Sequence, residues 1–457
     1  LSAIPRSSGN EGGVADWLEA FAKKNKLEYC RDAANNVLLR YVPEKAEAAP
    51  LLLQGHTDMV CVKESGSEHD FAADPLELFV DENGWLGAKG TTLGADDGIG
   101  VTLALALLEE KPNRVLECLF TTSEETGMDG AIAFDYAGIT ARQMLNLDSE
   151  DENEAIVSCA GGCHLKIYRD FAKTAASGSA LRVRVSGFAG GHSGSDIHLG
   201  KVNAARRLGK LLTKICEKYD CCLIRFEGGE KDNAIPTDAC AELLIGEGAE
   251  NELAELFKRA QKTVTAADAA AEISLERFDF VGNAFDTHAT AQICKLIATI
   301  PNGVVSRYEH IDLVKTSLNT GVVRAADGAF LLHSMIRSSD DTEKEQLTDE
   351  VCKLAADMGF SYEKDGQYPS WGYAEHSPLR DIYIDAYRRV YGREPRVCGI
   401  HAGLECGFIK AAIPNMDILS LGPTMRDIHT VNERLDMDSC ARFMQMLRLI
   451  VHGNEAK

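Results

Sequence analysis

Three short apolar runs early in the chain each break into acidic or imidazole side chains at the same end: PLLLQGHTD from Pro50, VLECLFTTSEE from Val115 and QMLNLDSE from Gln143. Runs this short and this apolar predict strands buried on both faces, the mark of a parallel sheet between helices. Open sheets of that kind carry their sites at the carboxyl ends of the strands. The pattern constrains the chain to an α/β fold that brings His56, Asp58, Glu124, Glu125, Asp148 and Glu150 to one sheet edge.

Between the first two runs lies WLGAKGTTLGADDGIG, Trp85 to Gly100, followed by VTLALALLEE, which is apolar at helical spacing. Glycines at 90, 94, 98 and 100 predict sharp turns and close approach of the backbone to something bulky or charged. The stretch reads as a rigid loop that holds Asp96 at the mouth of a helix, as the carboxylate shared by two metal ions.

The remaining chain sorts into two styles. An amphipathic helix over Asp16 to Lys26 leads into a strand over Val37 to Arg40 and opens the α/β domain. After about residue 160, strands and longer helices alternate: LRVRVSG, a helix from Val202 to Tyr219, CCLIRFEGG, DACAELLIG, a helix from Glu250 to Ala267, and EISLERFDF. A second pass follows, with a helix near His288 to Thr299, KTSLNTGVV, AFLLHSMIR, a helix from Thr342 to Met358, and FSYEKDG. Residues 161 to 370 are therefore expected to form an inserted α+β domain of two similar halves. The first style returns with a helix over Asp381 to Tyr391, the loop CGIHAGLECG, the strand from Asp417, PTMRDIHTVNERL and a last helix over Met437 to Val451. The first domain is then discontinuous, residues 1 to 160 and 371 to 457, with hinges expected near 160 and 370.

Composition narrows the partners. With 48 basic and 70 acidic residues among 457, the net charge is −22, which argues against nucleic acid or an anionic membrane. No apolar run reaches a membrane span, and LSAIPRSSGNEGG lacks the basic and apolar regions of a leader. The start at Leu1 suggests that a short native N-terminus precedes it. The 14 cysteines are scattered without a pair of CxxC motifs, so buried thiols in a reducing compartment, the cytoplasm, are expected.

His56, Asp96, Glu125, Asp148 and His429 together supply two imidazoles and three carboxylates, a donor set suited to two zinc-like ions sharing one carboxylate. Residues two apart on a strand face the same way, so Asp58 can support the second ring nitrogen of His56. The adjacent carboxylates of Glu124 and Glu125 would repel each other unless cations or protons intervene. A carboxylate left over beside such ligands can act as the base for a water, which makes metal-assisted hydrolysis the expected chemistry.

GHTD, GADDG, TSEETG, NLDSE and IHTVNER resemble in kind, order and spacing the signatures of the co-catalytic zinc metallopeptidases that include aminoacylase, carboxypeptidase G and peptidase V. Within that family, GHTDMVCVK, GTTLGADDGIG, EETGMDGA, GGHSGSDIHLGKVNA, NAIPT, IHAGLECG and GPTMRDIHTVNERL resemble the carnosinase-like, aminoacyl-histidine dipeptidase branch. The resemblance implies two divalent ions, zinc with cobalt or manganese as substitutes. Asp96 would bridge them, His56 and Asp148 completing one site and Glu125 and His429 the other. It further implies Glu124 as general base, Asp58 as partner of His56, and His192 as the group that polarises the scissile carbonyl from an inserted lid. Asn233, Arg337 and His401 are the matching candidates for substrate binding. The implied reaction is hydrolysis of short unblocked peptides, with histidine at the C-terminal position as one candidate. A tripeptide aminopeptidase, an N-acyl amino acid deacylase and a non-catalytic metal-binding protein are the alternatives. A homodimer is compatible with the doubled lid but not required by it. Asp97, often asparagine in this branch, and Thr430-Val431-Asn432-Glu433 in place of SPDE depart from the pattern and bear on substrate choice.

Overall fold

The computed structural model describes residues 1–246, 250–309 and 311–453, and contacts along the chain divide it into two compact units. The first comprises Leu1–Cys159, Trp371–Gly399 and Leu404–Lys457; the second comprises Ala160–Ser370 and Ile400–Gly403.

The first unit is built on an eight-stranded sheet in the order Glu28–Arg31, Val37–Tyr41, Arg114–Thr121, Ala48–His56, Gln143–Asn146, Asp417–Ser420, Glu154–Cys159, Arg396–Ile400. Its centre is parallel: Ala48–His56 runs alongside Arg114–Thr121 and Gln143–Asn146, and the latter alongside Asp417–Ser420. From Leu51 onward the central strand is buried at every residue, as sheets covered by helices on both faces demand. The helix Ala95–Glu109 is apolar nearly all round because it is buried beneath this sheet. Side chains of Gly12–Asn25, Pro378–Tyr391 and Met437–His452 complete the same core, which includes Leu18, Leu53, Phe120, Tyr387 and Phe443. Ser377 and Pro378 start one of these helices in the expected way, the Ser377 hydroxyl accepting from Arg380 N.

Parallel register explains why separate runs meet. His56 is opposite Thr121, and Gln54 is opposite Asn146, so all three strands end at one edge. Trp85–Ala88, expected as loop, is instead a strand of a small four-stranded sheet with Leu78–Val80, Met425–Arg426 and Arg434–Asp436. Leu86 pairs with Leu435, which ties the loop of Asp96 to the segment of His429.

The second unit carries a nine-stranded sheet, eight of whose strands form a continuous path: Glu272–Ala284, Thr174–Ser186, Ala239–Ile245, Cys221–Gly228, Val314–Ala326, Ala329–Ser338, Gly161–Asp170, Ser361–Tyr368. Each half follows one plan, strand, helix, two strands, helix, strand, and the order reads alike from either edge. The repeated pass in the sequence lacks a first strand because Gly161–Asp170, at the very start of the insertion and ahead of the other half, supplies it. Among the described residues, no helix is long and apolar enough to cross a membrane, and none of the 14 cysteines is in a disulfide.

Candidate metal centre

Asp96 lies where the backbone turns from Gly94, in the left-handed region at φ 64°, into the helix Ala95–Glu109. Four consecutive backbone N–H groups, of Leu93, Gly94, Ala95 and Asp96, donate to the buried Glu433 carboxylate at 2.8, 2.9, 2.7 and 3.3 Å. Arg6, also buried, donates to the carbonyls of Thr57 and Asp58 at 3.0 and 3.1 Å and to that of Gly94. The loop and the end of the central strand are thereby fixed to one another. Asp97 holds the other side: its carboxylate accepts from His56 N at 3.2 Å and Gly100 N at 3.1 Å. A Cβ at Gly55 or Gly100 would come within 2.1 or 2.3 Å of that carboxylate, so these two glycines are needed for space.

With the loop held, the two oxygens of Asp96 face two different imidazoles. Oδ1 is 3.0 Å from His56 Nε2 and Oδ2 is 3.1 Å from His429 Nε2. Asp148 Oδ1 approaches His56 Nε2 at 3.5 Å, and the Glu125 carboxylate approaches His429 Nε2 at 3.0 Å. The five residues thus separate into two groups, His56 with Asp148 and His429 with Glu125, and Asp96 is common to both. One ligand atom each of His56, Asp96 and Glu125 also falls within 4.8 Å of the others, which makes the two groups contiguous. His429 reaches this position on a left-handed backbone, φ 62°, a conformation few non-glycine residues hold without a local demand.

Asp58 lies beside the His56 ring, its Oδ1 3.4 Å from His56 Nδ1. The Asp58 carboxylate also accepts from Glu124 N at 3.1 Å, Glu125 N at 3.2 Å and the Ser8 hydroxyl at 2.7 Å. Its principal contacts anchor the start of the short helix Glu124–Gly127.

The protein's own charges place these groups far from their usual titration. Burial opposes ionisation of Asp96, but hydrogen bonds from His429 and His56 hold its carboxyl well below the usual range. Hydrogen bonds to Asp96 and Glu125 raise His429 to about 10. Burial, together with the charges of Glu125, Asp96 and Asp58 and against that of His56, pushes Glu124 up to about 7. Burial is also the main cause of the rise at Asp148. Nitrogen and oxygen donors this densely packed, with two imidazoles facing one carboxylate, are the arrangement a pair of divalent cations would satisfy.

Three contributors escaped the sequence reading: Arg6, Glu433 and Glu405. Glu405 is fully buried, accepts from Gln54 Nε2 at 2.6 Å and Thr121 Oγ1 at 2.7 Å, and is pushed up to about 8 by burial and the charge of Glu124. Glu405 and Glu433 stand in strings noted in the sequence, so their motifs were visible although their partners were not. Arg6 left no signal beyond its charge.

The candidates for substrate contact lie in the second unit. His192 is on the short strand Gly191–His192, which pairs with Ala234–Ile235, and Ser193 N donates to the carbonyl of the exposed Asn233 at 2.8 Å. Burial and the charge of Arg337 lower the pKa of both His192 and His401, the latter to about 3. Arg337 donates to the Tyr368 hydroxyl at 2.7 Å, and His401 Nε2 is 2.8 Å from Ser317 Oγ. The structure therefore gathers His192, Arg337 and His401 into one electrostatic neighbourhood.

Comparison with known proteins places this geometry in context. Residues 52–452 match the model of peptidase family M20/M25/M40. The chain is 34% identical to a cytosol non-specific dipeptidase of Escherichia coli, over 100% of this chain and 96% of the relative. The crystal structure of an aminoacylhistidine dipeptidase from Vibrio alginolyticus superposes with a TM-score of 0.94 at 32% identity, covering 98% of this chain and 94% of that one. A Staphylococcus aureus tripeptidase shares the fold alone, with a TM-score of 0.58 at 16% identity over 99% of this chain and 95% of its own. The chain belongs to peptidase family M20/M25/M40, a family of metal-dependent peptide-bond hydrolases.

Proposed function

We propose that this protein hydrolyses dipeptides at a dinuclear zinc centre, with aminoacyl-histidine peptides among its substrates. The observation that carries the reading is Asp96, whose two carboxylate oxygens each face a different histidine at 3.0 and 3.1 Å. His56 and Asp148 would hold one ion and His429 and Glu125 the other. When bound, such a pair of ions supplies Lewis acidity that acidifies water and polarises a carbonyl oxygen.

Glu124 is the residue of the site free to move protons. Its neighbour Glu125 is committed to His429, and Asp58 holds the backbone of both, so the Glu124 carboxylate takes the proton of the attacking water and returns it to the leaving amine. His192 would donate toward the oxygen that gains charge, and Arg337 would hold the substrate carboxylate, with Asn233 and His401 as further contacts. The similarity to a non-specific dipeptidase and to an aminoacylhistidine dipeptidase, both above 30% identity over nearly the whole chain, supports dipeptides as the class.

The test is turnover of the zinc-loaded protein on β-alanyl-histidine, other dipeptides, a tripeptide and an N-acyl amino acid, before and after chelation. Dipeptides should be cleaved fastest, with loss on chelation and recovery on adding zinc. Faster cleavage of the tripeptide or of the acyl amino acid would overturn the substrate class.

A further inference from the structure

Three ligand-type side chains meet in the second unit, none of them assigned above to the reaction. His164 is on the strand Gly161–Asp170, His333 on the neighbouring strand Ala329–Ser338, and Asp232 on the turn ahead of Ala234–Ile235. The two strands are antiparallel with Met335 opposite His164. His333, two residues before Met335, therefore faces the same side of the sheet as His164. Asp232 reaches both, its Oδ2 bonded to His164 Nδ1 and 3.3 Å from His333 Nε2.

The second of these contacts is not a hydrogen bond. His333 Nε2 is shielded from water and makes none, although buried polar atoms nearly always find a partner. One ligand atom from each of the three residues lies within 4.8 Å of the others. Neighbouring ligand atoms around a tetrahedral zinc ion, with bonds of about 2.0–2.1 Å, are about 3.4 Å apart. The 3.3 Å between Asp232 and His333 already has that spacing, and the shorter contact to His164 would open by rotation of the carboxylate. Lys166, whose charge acts on His333, is 3.8 Å from Asp365, which offsets it.

We propose that His164, Asp232 and His333 form an additional cation site, taking zinc or another ion that favours nitrogen and oxygen donors, with water as the fourth ligand. The turn it would fasten is the one beside His192. Ala234 pairs with His192, the Asn233 carbonyl accepts from Ser193 N at 2.8 Å, and Asn319 Nδ2 donates to the carbonyls of Asp232 and Ala234 at 2.9 and 2.8 Å. An ion held by Asp232 therefore clamps the His192 ribbon to the sheet. The site stands on the second unit alone, and only its consequence for turnover rests on the role proposed for His192.

The experiment is zinc content by mass spectrometry after equilibrium dialysis of the full chain against micromolar zinc. Four proteins are compared: the unaltered chain, H164Q/H333Q, D96N, and the three substitutions combined. The double variant should hold one equivalent less than the unaltered chain, and the combined variant one less than D96N, so this site is scored whether or not the dinuclear reading survives. Equal zinc contents within both pairs would overturn the proposal. Should the double variant fail to fold by circular dichroism, anomalous scattering at the zinc edge from crystals of the unaltered chain decides. A peak within bonding distance of the three residues supports the site, and no peak there overturns it.

Discussion

Glu124 and Glu125 are adjacent in the chain but in opposite situations. Glu125 lies 3.0 Å from His429, whereas burial and three neighbouring carboxylates push Glu124 up to about 7. Replacing Glu124 by alanine should leave bound metal and inhibitor affinity intact while lowering turnover by about 10² to 10⁴, the usual worth of a positioned acid/base. Loss of metal with activity would make Glu124 a ligand instead. His401 offers a test of stability. Its folded pKa, lowered to about 3 by burial and Arg337, lies below the ordinary histidine value of 6.5. The unfolded chain then takes up a proton that the folded one refuses, so this contribution is complete above the unfolded pKa and lost as pH falls from there toward the folded value. At pH 5 the loss is about 2 kcal/mol, from one and a half pKa units, and denaturant unfolding should show this part of the slope vanish in H401Q. Residue identities were legible where the chemistry demands a type: His56, Asp96, Glu125, Asp148 and His429 are brought together as the strings implied. The hydrogen bonds that Asp58 accepts from Ser8, Glu124 and Glu125 were not, because strand periodicity gives the side a residue faces but not which donors surround it there.

At the scale of elements, the site is held by a device that periodicity does not reveal. The small sheet joins Trp85–Ala88 to Arg434–Asp436, and Glu433, just before the second strand, accepts the four N–H groups of Leu93 to Asp96. Glu433→Ala would orphan those donors and loosen the carboxylate of Asp96. Its zinc affinity should fall about 10- to 100-fold, the usual cost of losing an outer partner of a metal ligand, in a competition titration with a chromophoric chelator. Unchanged affinity would show that the loop keeps its shape without the cap. The central strands were readable because both faces are buried and their sequence is almost wholly apolar. The strands of the small sheet are only two to four residues long, too short for an alternation to register. Gly90 and Gly94 do turn the chain at positive φ, whereas Gly98 and Gly100 lie in the helix and provide room for Arg6 and Asp97.

The whole chain combines two large sheets with different logic. In the first unit, parallel strands deliver His56, the Glu124–Glu125 pair and Asp148 to one edge, and the return of the chain after residue 404 adds His429. In the second, two halves of like plan share a continuous sheet, one of them borrowing its first strand from ahead of the other. Element order was visible in the sequence; this borrowing was not, since strand pairing across more than a hundred residues leaves no local pattern. The proposed function turns on one carboxylate, Asp96, coupling two ions. The direct measurement is metal content of the purified chain and of Asp96→Asn under the same dialysis, with activity on a dipeptide recorded on the same samples. Asp96→Asn should lose two equivalents together, along with turnover. Retention of either or both of those equivalents would contradict that coupling.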